Sequence, residues 1–395
     1  MKKYDAAIVG IGFTEYSRNS GRSVLSLAVD ACQHAIEDAG LTKEDVDGIL
    51  TFNTGDSVPT EAVATSLSLP QLNYALDWLA GGFSPSALVQ NAALLVSSEV
   101  CNAVLIYRAL NGYSGMRFGG GGGDISAMTD IMLRYASTGD MNQYRMPYGW
   151  MTPAQNMAMW CRRHMVKYGT KPEQLGAIAI SQRSNAMLNE WAMQRKPMTL
   201  DDYLSSPMIV EPLRMFDMCL ETDGACALLV TSTKTAEQCK KRPVYIKAAA
   251  FVSEKMRGMD WMNSFPCGEM TENFTGLLSP KLYEQAKMKP KNIDVAEIYD
   301  CFTHTVLMGL EGLGFCPKGK GGSFAASGEI ELKGSIPVNT NGGMLSEGYI
   351  HGMNTIGEAV IQLRGDGGAR QVKGAETAII TSGAWQMGSG LILTV

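Results

Sequence analysis

The sequence predicts an α/β fold made of two similar halves. Apolar runs of strand length alternate with helical segments over residues 5–109, which is typical of a partly parallel sheet covered by helices. A helix–loop–strand pattern near residue 40 recurs near residue 290, and a Gly-Gly turn between a strand and a helix recurs in the same way. Recurrence of whole units indicates an internal duplication.

The first half consists of strands joined by helices. The strands are expected at residues 5–12, 45–52, 73–79 and 102–109, and the helices at residues 22–40 and 84–98. Gly40 ends the first of these helices, because glycine adopts the left-handed conformation of a helix C-terminus at little cost. Ser84 and Pro85 are typical of a helix start, as the N-cap and the first helical residue.

Two pairs of segments support the duplication. AGLTKEDVD at 39–47 aligns without gaps to AKMKPKNID at 286–294, each between a helix and an apolar strand. Residues 74–96 and 338–363 both read as strand, Gly-Gly, turn and helix. Chance likeness between two ordinary helix–loop–strand units is the alternative.

A polar stretch, TKTAEQCKKRP, indicates where the two halves meet. We expect an N-terminal half at 1–240 and a C-terminal half at 241–395. The atypical region at about 110–220 reads as an insertion in the first half, and we expect it to cap one face of the sheet.

Composition excludes several classes of function. With a net charge of −5 and no long basic run, nucleic acid is not expected as a partner. The nine cysteines include no C-x-x-C pair, so no zinc ribbon is expected within this chain. The apolar run at the N-terminus is too short for a signal sequence or a membrane span, and scattered unpaired cysteines suit reduced thiols, so we expect a cytoplasmic protein.

Several motifs resemble those of the thiolase fold, in the branch of the lipid-transfer or sterol-carrier thiolases. The strongest are YDCFTHTVLMGLEGLGFCPKGKGG at 299–322 and NGGMLSEGYIHG at 341–352, and weaker ones stand at 221–230 and 382–395. The resemblance covers nearly the whole chain. It implies duplicated βαβ halves packed in α-β-α-β-α layers.

The sequence departs from the thiolase pattern at all three catalytic positions. The family's nucleophilic cysteine falls most closely at Gly81, and no cysteine stands between residues 33 and 100. The histidine of the H-D-C-F motif is replaced by Tyr299. The histidine of the G-H-P motif is replaced by Tyr349, with His351 two residues later.

These departures remove the acyl-enzyme and leave a site for an enolate. Glycine has no side chain that attacks a thioester, but its N–H can approach a developing anion closely. The candidate backbone donors are Gly81, Gly82, Gly388 and Gly390, each of which reads equally well as a turn glycine. The resemblance thus implies coenzyme A as part of the substrate and no covalently bound cofactor.

The pattern is similar to that of thiolase-like aldolases that act on steroid side chains. It predicts retro-aldol cleavage of a β-hydroxyacyl-CoA into a ketone and a shorter acyl-CoA. Tyr299 is expected as the base that takes the hydroxyl proton and Tyr349 as the acid, although these roles can be exchanged. His351 is expected to bind the thioester oxygen or to adjust the pKa of a tyrosine.

Other residues near these motifs have expected roles of their own. Asp300 is expected to cap a helix that begins near Thr303, and Gly342 and Gly343 to form the sharp turn before Tyr349.

Cys301 and Cys316 are the thiols nearest to the site in sequence, and they read mainly as apolar core residues. Arg117, Lys318 and Lys320 read either as ligands of coenzyme A phosphates or as solvated surface residues.

The resemblance also implies partners and leaves two alternative functions. It implies a homodimer core, joined in a heterotetramer by a small subunit that carries a zinc ribbon and an OB-fold, so that zinc is held only by the partner. One alternative is an unusual thiolase that cleaves a 3-oxoacyl-CoA, including an aromatic one. The other is a non-catalytic thiolase fold that binds lipid or serves as a scaffold.

Overall fold

The computed structural model of the chain describes residues 4–115, 146–150, 152–254 and 270–395. The strands are β1 (Ala7–Phe13), β2 (Gly48–Asn53), β3 (Tyr74–Leu79), β4 (Ala103–Asn111), β5 (Met208–Val210), β6 (Leu213–Arg214), β7 (Asp223–Thr231), β8 (Val244–Ser253), β9 (Val295–Glu297), β10 (Thr377–Ser382) and β11 (Met387–Thr394). The helices of the described residues are α1 (Val24–Ala39), α2 (Thr60–Leu67), α3 (Pro85–Ser97), α4 (Pro153–Tyr168), α5 (Pro172–Met187), α6 (Leu200–Ser205), α7 (Thr233–Ala236), α8 (Thr275–Ala286), α9 (Thr303–Gly312), α10 (Gly321–Ala326), α11 (Gly343–Ser346) and α12 (Met353–Arg364).

Nine of the described strands form one mixed sheet, and its order repeats. The order is β3-β2-β4-β7-β1-β8-β11-β10-β9. In the first half β3, β2 and β4 are parallel and β7 and β1 follow antiparallel. In the second half β9 and β10 are parallel, β11 and β8 follow antiparallel, and a parallel bridge from Ala296 to Val338 stands where β3 stands in the first half. This repeated order is the pattern that a duplication leaves.

Three clusters of buried residues among the described parts of the chain lie between the layers. One lies between the first-half strands and α1 and α2, with Leu27 and Leu105 among its members. The central cluster holds α3 and α12 between the two halves of the sheet, for example through Leu88 and Val360. The third packs α8 and α9 on the outer face of the second half. The order of layers is therefore α-β-α-β-α, confirming the predicted fold class.

The first pair of matching segments has the same structure in both halves. Helix α1 ends at Gly40 and α8 ends at Lys287, both in the left-handed conformation. A 3₁₀ turn follows each helix, at Lys43–Asp45 and at Pro290–Asn292, and leads into β2 or β9. The predicted strand at 45–52 therefore begins only at Gly48, because the 3₁₀ turn occupies its first positions.

Two local expectations differ from the structure. The second copy of the strand–Gly-Gly–helix unit has only the isolated bridge at Val338 in place of a strand. Ser84 stands before α3 as predicted, but its side chain does not cap the helix. The Ser84 hydroxyl donates instead to the carbonyl of Gly81 at 2.8 Å, which closes the turn between β3 and α3.

Helices α4 and α5 and the β5–β6 hairpin belong to the region predicted as an insertion. Parts of all of them line one large cavity, together with residues from both halves of the sheet.

The division at residue 240 falls between α7 and β8 and stays a prediction. Among the described residues, no helix has both the length and the apolar surface to cross a bilayer.

Candidate active site

One cavity of about 750 Å³ lies at the carboxyl ends of the parallel strands. Gly82 follows β3, Leu110 lies near the end of β4, Tyr299 follows β9, and Gly383 follows β10. Ligands of α/β sheets usually bind at this edge, where loops from several strands converge. The opposite wall is largely apolar and comes from the cap region, including Val210, Met215, Phe216 and Met218.

The two predicted tyrosines lie next to each other in the lining of this cavity. Their hydroxyl oxygens are 3.5 Å apart, at the long limit of a hydrogen bond. Buried threonines fix both backbones, because Tyr299 N donates to Thr381 Oγ1 at 3.0 Å and Tyr349 N donates to Thr222 Oγ1 at 2.8 Å. The phenols are thus brought together although fifty positions separate them.

The ring of Tyr299 occupies a slot between two glycines. A Cβ added at Gly82 would overlap the Tyr299 hydroxyl, and one added at Gly352 would come within 2.9 Å of the ring. The sequence places the lost nucleophile at Gly81, but the position whose side chain would compete with the phenol is Gly82. Any side chain at that position, a cysteine included, is incompatible with Tyr299 as it stands.

The predicted backbone donors separate into two groups. Gly82 lines the cavity with Phe83, and within the described parts of the chain neither N–H donates to another protein group. Gly81 does not line the cavity, and its carbonyl accepts from Ser84. On the β3–α3 turn, the N–H groups of Gly82 and Phe83 are therefore the ones available to bind a ligand in the cavity.

Gly388 and Gly390 do not reach the cavity, which corrects the prediction. Both lie inside β11, where their backbones pair with neighbouring strands. A Cβ at Gly388 would overlap the ring of Phe274, and one at Gly390 would meet Leu278 at 2.6 Å. These glycines allow helix α8 and the residue before it to pack closely on the sheet.

Asp300 caps a different helix from the one predicted. Helix α9 does begin at Thr303, but its N-cap position is Phe302. The buried Asp300 carboxylate accepts from the N–H groups of Met344 and Leu345 at 2.9 and 3.1 Å, and so holds the first turn of α11. Burial raises the pKa of this carboxyl to about 7, against the opposing effect of those hydrogen bonds.

The turn that leads to Tyr349 depends on glycine, as predicted. Gly342 and Gly343 both have positive φ angles, of 104° and 60°, which side chains rarely adopt. A Cβ at Gly343 would also overlap the Asp300 carboxylate. Asp300 thereby connects the segment of Tyr299 directly to the turn that carries Tyr349.

His351 lies beside Tyr349, with their ring centres 5.0 Å apart. It is 4% exposed and has a φ of 55°, a left-handed conformation that is uncommon for any residue but glycine. Burial, and after it the positive charge of Arg108, lowers the pKa of His351 to about 3. The imidazole is therefore neutral at physiological pH.

A buried ion pair stands behind His351. Arg108 Nη2 lies 2.5 Å from Asp56 Oδ2 and 3.3 Å from His351 Nδ1. Arg108 has no exposed surface and packs over the ring of Phe52, which also contacts His351. Neither Arg108 nor Asp56 lines the cavity.

The electrostatic surroundings of the two phenols differ. Burial raises the pKa of both tyrosines well above the ordinary value, so both are protonated in the free protein. Tyr349 and Cys301 raise the pKa of Tyr299 further. For Tyr349, the hydrogen bond from Tyr299 and the charge of Arg108 act in the opposite direction. If one of the pair ionises, Tyr349 is favoured.

Among the described residues two thiols line the cavity, and neither is activated. Cys219 and Cys301 are joined through their backbones, and burial raises the pKa of each thiol above its ordinary value. Cys316 is not in the cavity lining, and burial raises its pKa to about 12. A thiol with a raised pKa is a poor nucleophile at neutral pH, because the thiolate is the reactive form.

The lysines predicted as alternative phosphate ligands lie elsewhere. Lys318 Nζ is 3.3 Å from Glu311 Oε2, and Lys320 is exposed just before α10. Neither lines the cavity, and Arg117 lies outside the described residues. Over the described ranges, no group of three His, Cys, Asp or Glu side chains is arranged to hold a metal ion.

Sequence reasoning missed Arg108, Asp56 and Gly352. An arginine inside the apolar run AVLIYRALN of β4 was a usable signal, since a charge in a buried strand needs a partner. Asp56 lies three residues after the end of β2, at the edge where site residues collect. Gly352 had no distinguishing signal, because its contact with Tyr299 follows only from the tertiary structure.

Comparison with known proteins finds relatives along the whole chain. Residues 268–394 match the family described as thiolase C-terminal domain-like. A 17-hydroxy-3-oxo-4-pregnene-20-carboxyl-CoA lyase of Mycobacterium tuberculosis is 42% identical over 403 residues, covering 100% of both chains. A steroid side-chain-cleaving aldolase of Thermomonospora curvata is 41% identical over 391 residues, covering 98% of this chain and 97% of that protein.

A solved structure matches the fold over its full length. The structure described as the Ltp2-ChsH2(DUF35) aldolase superposes with a TM-score of 0.90 and 40% sequence identity. The match covers 100% of this chain and 98% of the other.

The slot around Tyr299 gives a first prediction. Replacing Gly82 by alanine puts a methyl group where the Tyr299 hydroxyl stands, so the ring must move. We expect the free energy of unfolding to fall by about 1–3 kcal/mol, as for other overpacked sites. A crystal structure of Gly82→Ala is expected to show the Tyr299 hydroxyl displaced from Tyr349.

The matched control is Gly276→Ala in α8, where an added Cβ meets nothing within 4 Å. It is expected to keep or slightly raise stability. A Gly82→Ala protein as stable as Gly276→Ala, with Tyr299 unmoved, would contradict the proposed packing.

The lowered pKa of His351 gives a second prediction. Between its folded pKa of about 3 and the unfolded value of about 6.5, the unfolded chain binds an extra proton. The unfolding free energy therefore decreases as the pH falls below about 6.5. From pH 7 to pH 5, the native protein should lose about 2 kcal/mol more than His351→Asn.

Denaturant unfolding of both proteins at the two pH values measures this difference. Other titrating groups are common to both chains and cancel. Asparagine is a suitable replacement because it tolerates a positive φ. Equal losses in the two proteins would show that His351 titrates normally.

Proposed function

The chain belongs to the thiolase superfamily, in the branch of the steroid side-chain-cleaving aldolases, and on this premise we propose its reaction. It cleaves the Cα–Cβ bond of a β-hydroxyacyl-CoA by a retro-aldol step. The products are a ketone and a shorter acyl-CoA. The observation that carries this proposal is the close pair of phenols in the cavity, beside which the two described thiols, Cys219 and Cys301, both have raised pKa values.

The reaction balances with one proton moved inside the site. A base takes the proton of the β-hydroxyl, its oxygen becomes a carbonyl, and the Cα–Cβ bond breaks. The electron pair of that bond forms the enolate of the thioester. The enolate is then protonated at Cα, so the proton removed from oxygen is balanced by one delivered to carbon. Phenol hydroxyls at 3.5 Å are close enough to exchange a proton as this cycle closes.

We assign Tyr349 as the base and Tyr299 as the acid, the exchanged form of the roles expected from the sequence. Ionisation of Tyr349 is favoured by the Tyr299 hydrogen bond and by Arg108. Tyr299 is more enclosed, at 3% exposed, and has no comparable stabilisation of its phenolate. It is therefore better suited to keep a proton and donate it to carbon.

Two sets of donors are placed to stabilise the enolate oxygen. His351 lines the cavity beside Tyr349 as a neutral imidazole. Gly82 and Phe83, whose N–H groups are the second set, also line the cavity, and Gly82 lies against the Tyr299 hydroxyl. Donors fixed in a buried site stabilise a developing anion strongly, because they need no reorganisation during the reaction.

The shape of the cavity supports a steroid side chain as the acyl group. Its volume and largely apolar cap wall fit a large apolar ligand with a few polar contacts. The relatives are named for a pregnene carboxyl-CoA and for steroid side-chain cleavage. We propose a substrate of that class, with the coenzyme A portion extending from the cavity.

A partner subunit belongs to the proposal. The superposed aldolase structure is named as a complex with a DUF35 protein, and we propose a comparable zinc-ribbon and OB-fold partner that holds the zinc. The edge strand β3 supports a homodimer core, because Tyr74 and Leu79 are 38% and 64% exposed on an edge that pairs with no further described strand. Two chains of each kind would make a heterotetramer.

The alternative functions fit the site less well. A thiolase needs a thiolate in contact with the acyl carbon, and burial keeps both cavity thiols protonated. A lipid-binding scaffold needs no pair of phenols with a buried charge behind the adjacent imidazole. The retro-aldol reaction uses all of these groups.

The phenol pair gives a third prediction. Tyr299→Phe and Tyr349→Phe should each lower kcat by about 100-fold or more, because each removes an acid–base group. The assay incubates the chain and its partner with a β-hydroxyacyl-CoA of a steroid side chain. Mass spectrometry then follows the ketone and the short acyl-CoA, without added free coenzyme A.

Tyr283→Phe is the matched control. Its hydroxyl donates to Leu313 O at 2.9 Å, away from the cavity, so its loss should leave kcat nearly unchanged. Undiminished cleavage by Tyr299→Phe would overturn the proposal. Cleavage that requires free coenzyme A would favour the thiolase alternative.

A further inference from the structure

The buried cation behind His351 does not touch the cavity, and its geometry suggests a task other than substrate binding. Arg108 and Asp56 are 0% and 5% exposed in their side chains. Arg108 Nη1 donates to the carbonyl of Ala109 at 3.0 Å, and Nη2 points to Asp56 and His351 together. Burial of a charge is costly unless it is paired, so this arrangement has a consequence for the imidazole it faces.

A guanidinium can only donate hydrogen bonds. The 3.3 Å contact from Arg108 Nη2 therefore requires His351 Nδ1 to accept, with no proton of its own. A neutral imidazole with an unprotonated Nδ1 carries its proton on Nε2. The contact thus determines which nitrogen is the donor, and hence what the ring can offer to a ligand.

The ring is also held in one orientation. Phe52 packs against it with centres 5.4 Å apart, Tyr349 covers another side at 5.0 Å, and Gly352 follows directly in the chain. The backbone of His351 itself is in the left-handed region, a conformation that persists only where surrounding contacts impose it. The Nε2 side of the ring is the side away from Arg108.

We propose that Arg108 is a positioning residue that locks His351 in its neutral Nε2–H tautomer, so that Nε2–H donates to the thioester oxygen. Asp56 balances the charge of Arg108 and keeps it buried. This deepens the proposed function and rests on it for the identity of the oxygen. The tautomer itself is a property of the protein alone.

Asp56 makes the lock sensitive to the loss of Arg108. In the intact site Arg108 stands between the carboxylate and the imidazole and satisfies both. Removing only the guanidinium leaves a buried carboxylate that attracts a proton to the nearby ring. His351 would then become an imidazolium, which can give its proton away instead of holding it toward the oxygen.

The test is ¹⁵N nuclear magnetic resonance of histidine-labelled protein at pH 7, which distinguishes protonated from unprotonated ring nitrogens. The chain has only four histidines, and the spectrum of His351→Asn identifies the signals of His351. In the native protein we expect Nδ1 unprotonated and Nε2 protonated. A protonated Nδ1, or a mixture of both tautomers, overturns the proposal.

Arg108→Met should add a proton to Nδ1. Arg108→Met leaves the Asp56 carboxylate unpaired and is therefore expected to be less stable, so the double variant Asp56→Asn/Arg108→Met is measured as well. In the double variant the His351 ring should stay neutral but populate both tautomers. In the complex with the partner, kcat should fall by about 10- to 100-fold while KM changes much less. A spectrum unchanged from the native one in both variants overturns the lock.

Arg364→Met is the matched control. Arg364 is also a buried, ion-paired arginine, with Nη1 2.6 Å from Asp38 Oδ2, but it lies away from the cavity. Its loss should reduce stability and leave the His351 spectrum and kcat unchanged. If the native complex does not cleave the substrate but the native spectrum is as expected, the proposed function fails and the assignment of the His351 tautomer stands.

Discussion

The steric contact between Tyr299 and Gly82 is the constraint on which the site depends. The phenol hydroxyl lies in the space that a side chain at position 82 would need, so the two are mutually exclusive. A nucleophile carried at that turn and a phenol delivered from the end of β9 are therefore alternatives. In this chain the phenol occupies the space, so the proposed chemistry is acid–base catalysis by phenols in place of acyl transfer through sulfur.

Buried polar groups keep this arrangement in place and set its electrostatics. Asp300 joins the segment of Tyr299 to the turn before Tyr349, and two threonines fix the tyrosine backbones. The positive charge of Arg108 acts on Tyr349 and lowers its pKa, against the larger effect of burial. Because these groups are enclosed, their interactions are stronger than the same contacts would be in water. The scaffold thus distinguishes two phenols that are chemically identical in the sequence.

For residues 5–109 the sequence was sufficient for the order of the elements except α2, and it singled out the two tyrosines, because local periodicity and two long motifs carry that information. It could not show that Asp300 caps α11 instead of α9, since that bond joins residues 44 positions apart. Gly388 and Gly390 looked like loop glycines and are strand glycines under Phe274 and Leu278. Arg108 meets His351 across 243 positions, a contact that neither motif encodes.

The most direct measurement of phenol-based proton transfer uses the short acyl-CoA product alone. The complex is incubated in D₂O with that thioester and without ketone, and mass spectrometry follows deuterium at Cα. We predict incorporation by the native chain that is lost in Tyr299→Phe and retained in Cys219→Ala and Cys301→Ala. Exchange that persists in Tyr299→Phe, or that is lost in Cys219→Ala or Cys301→Ala, would contradict proton transfer by the phenols.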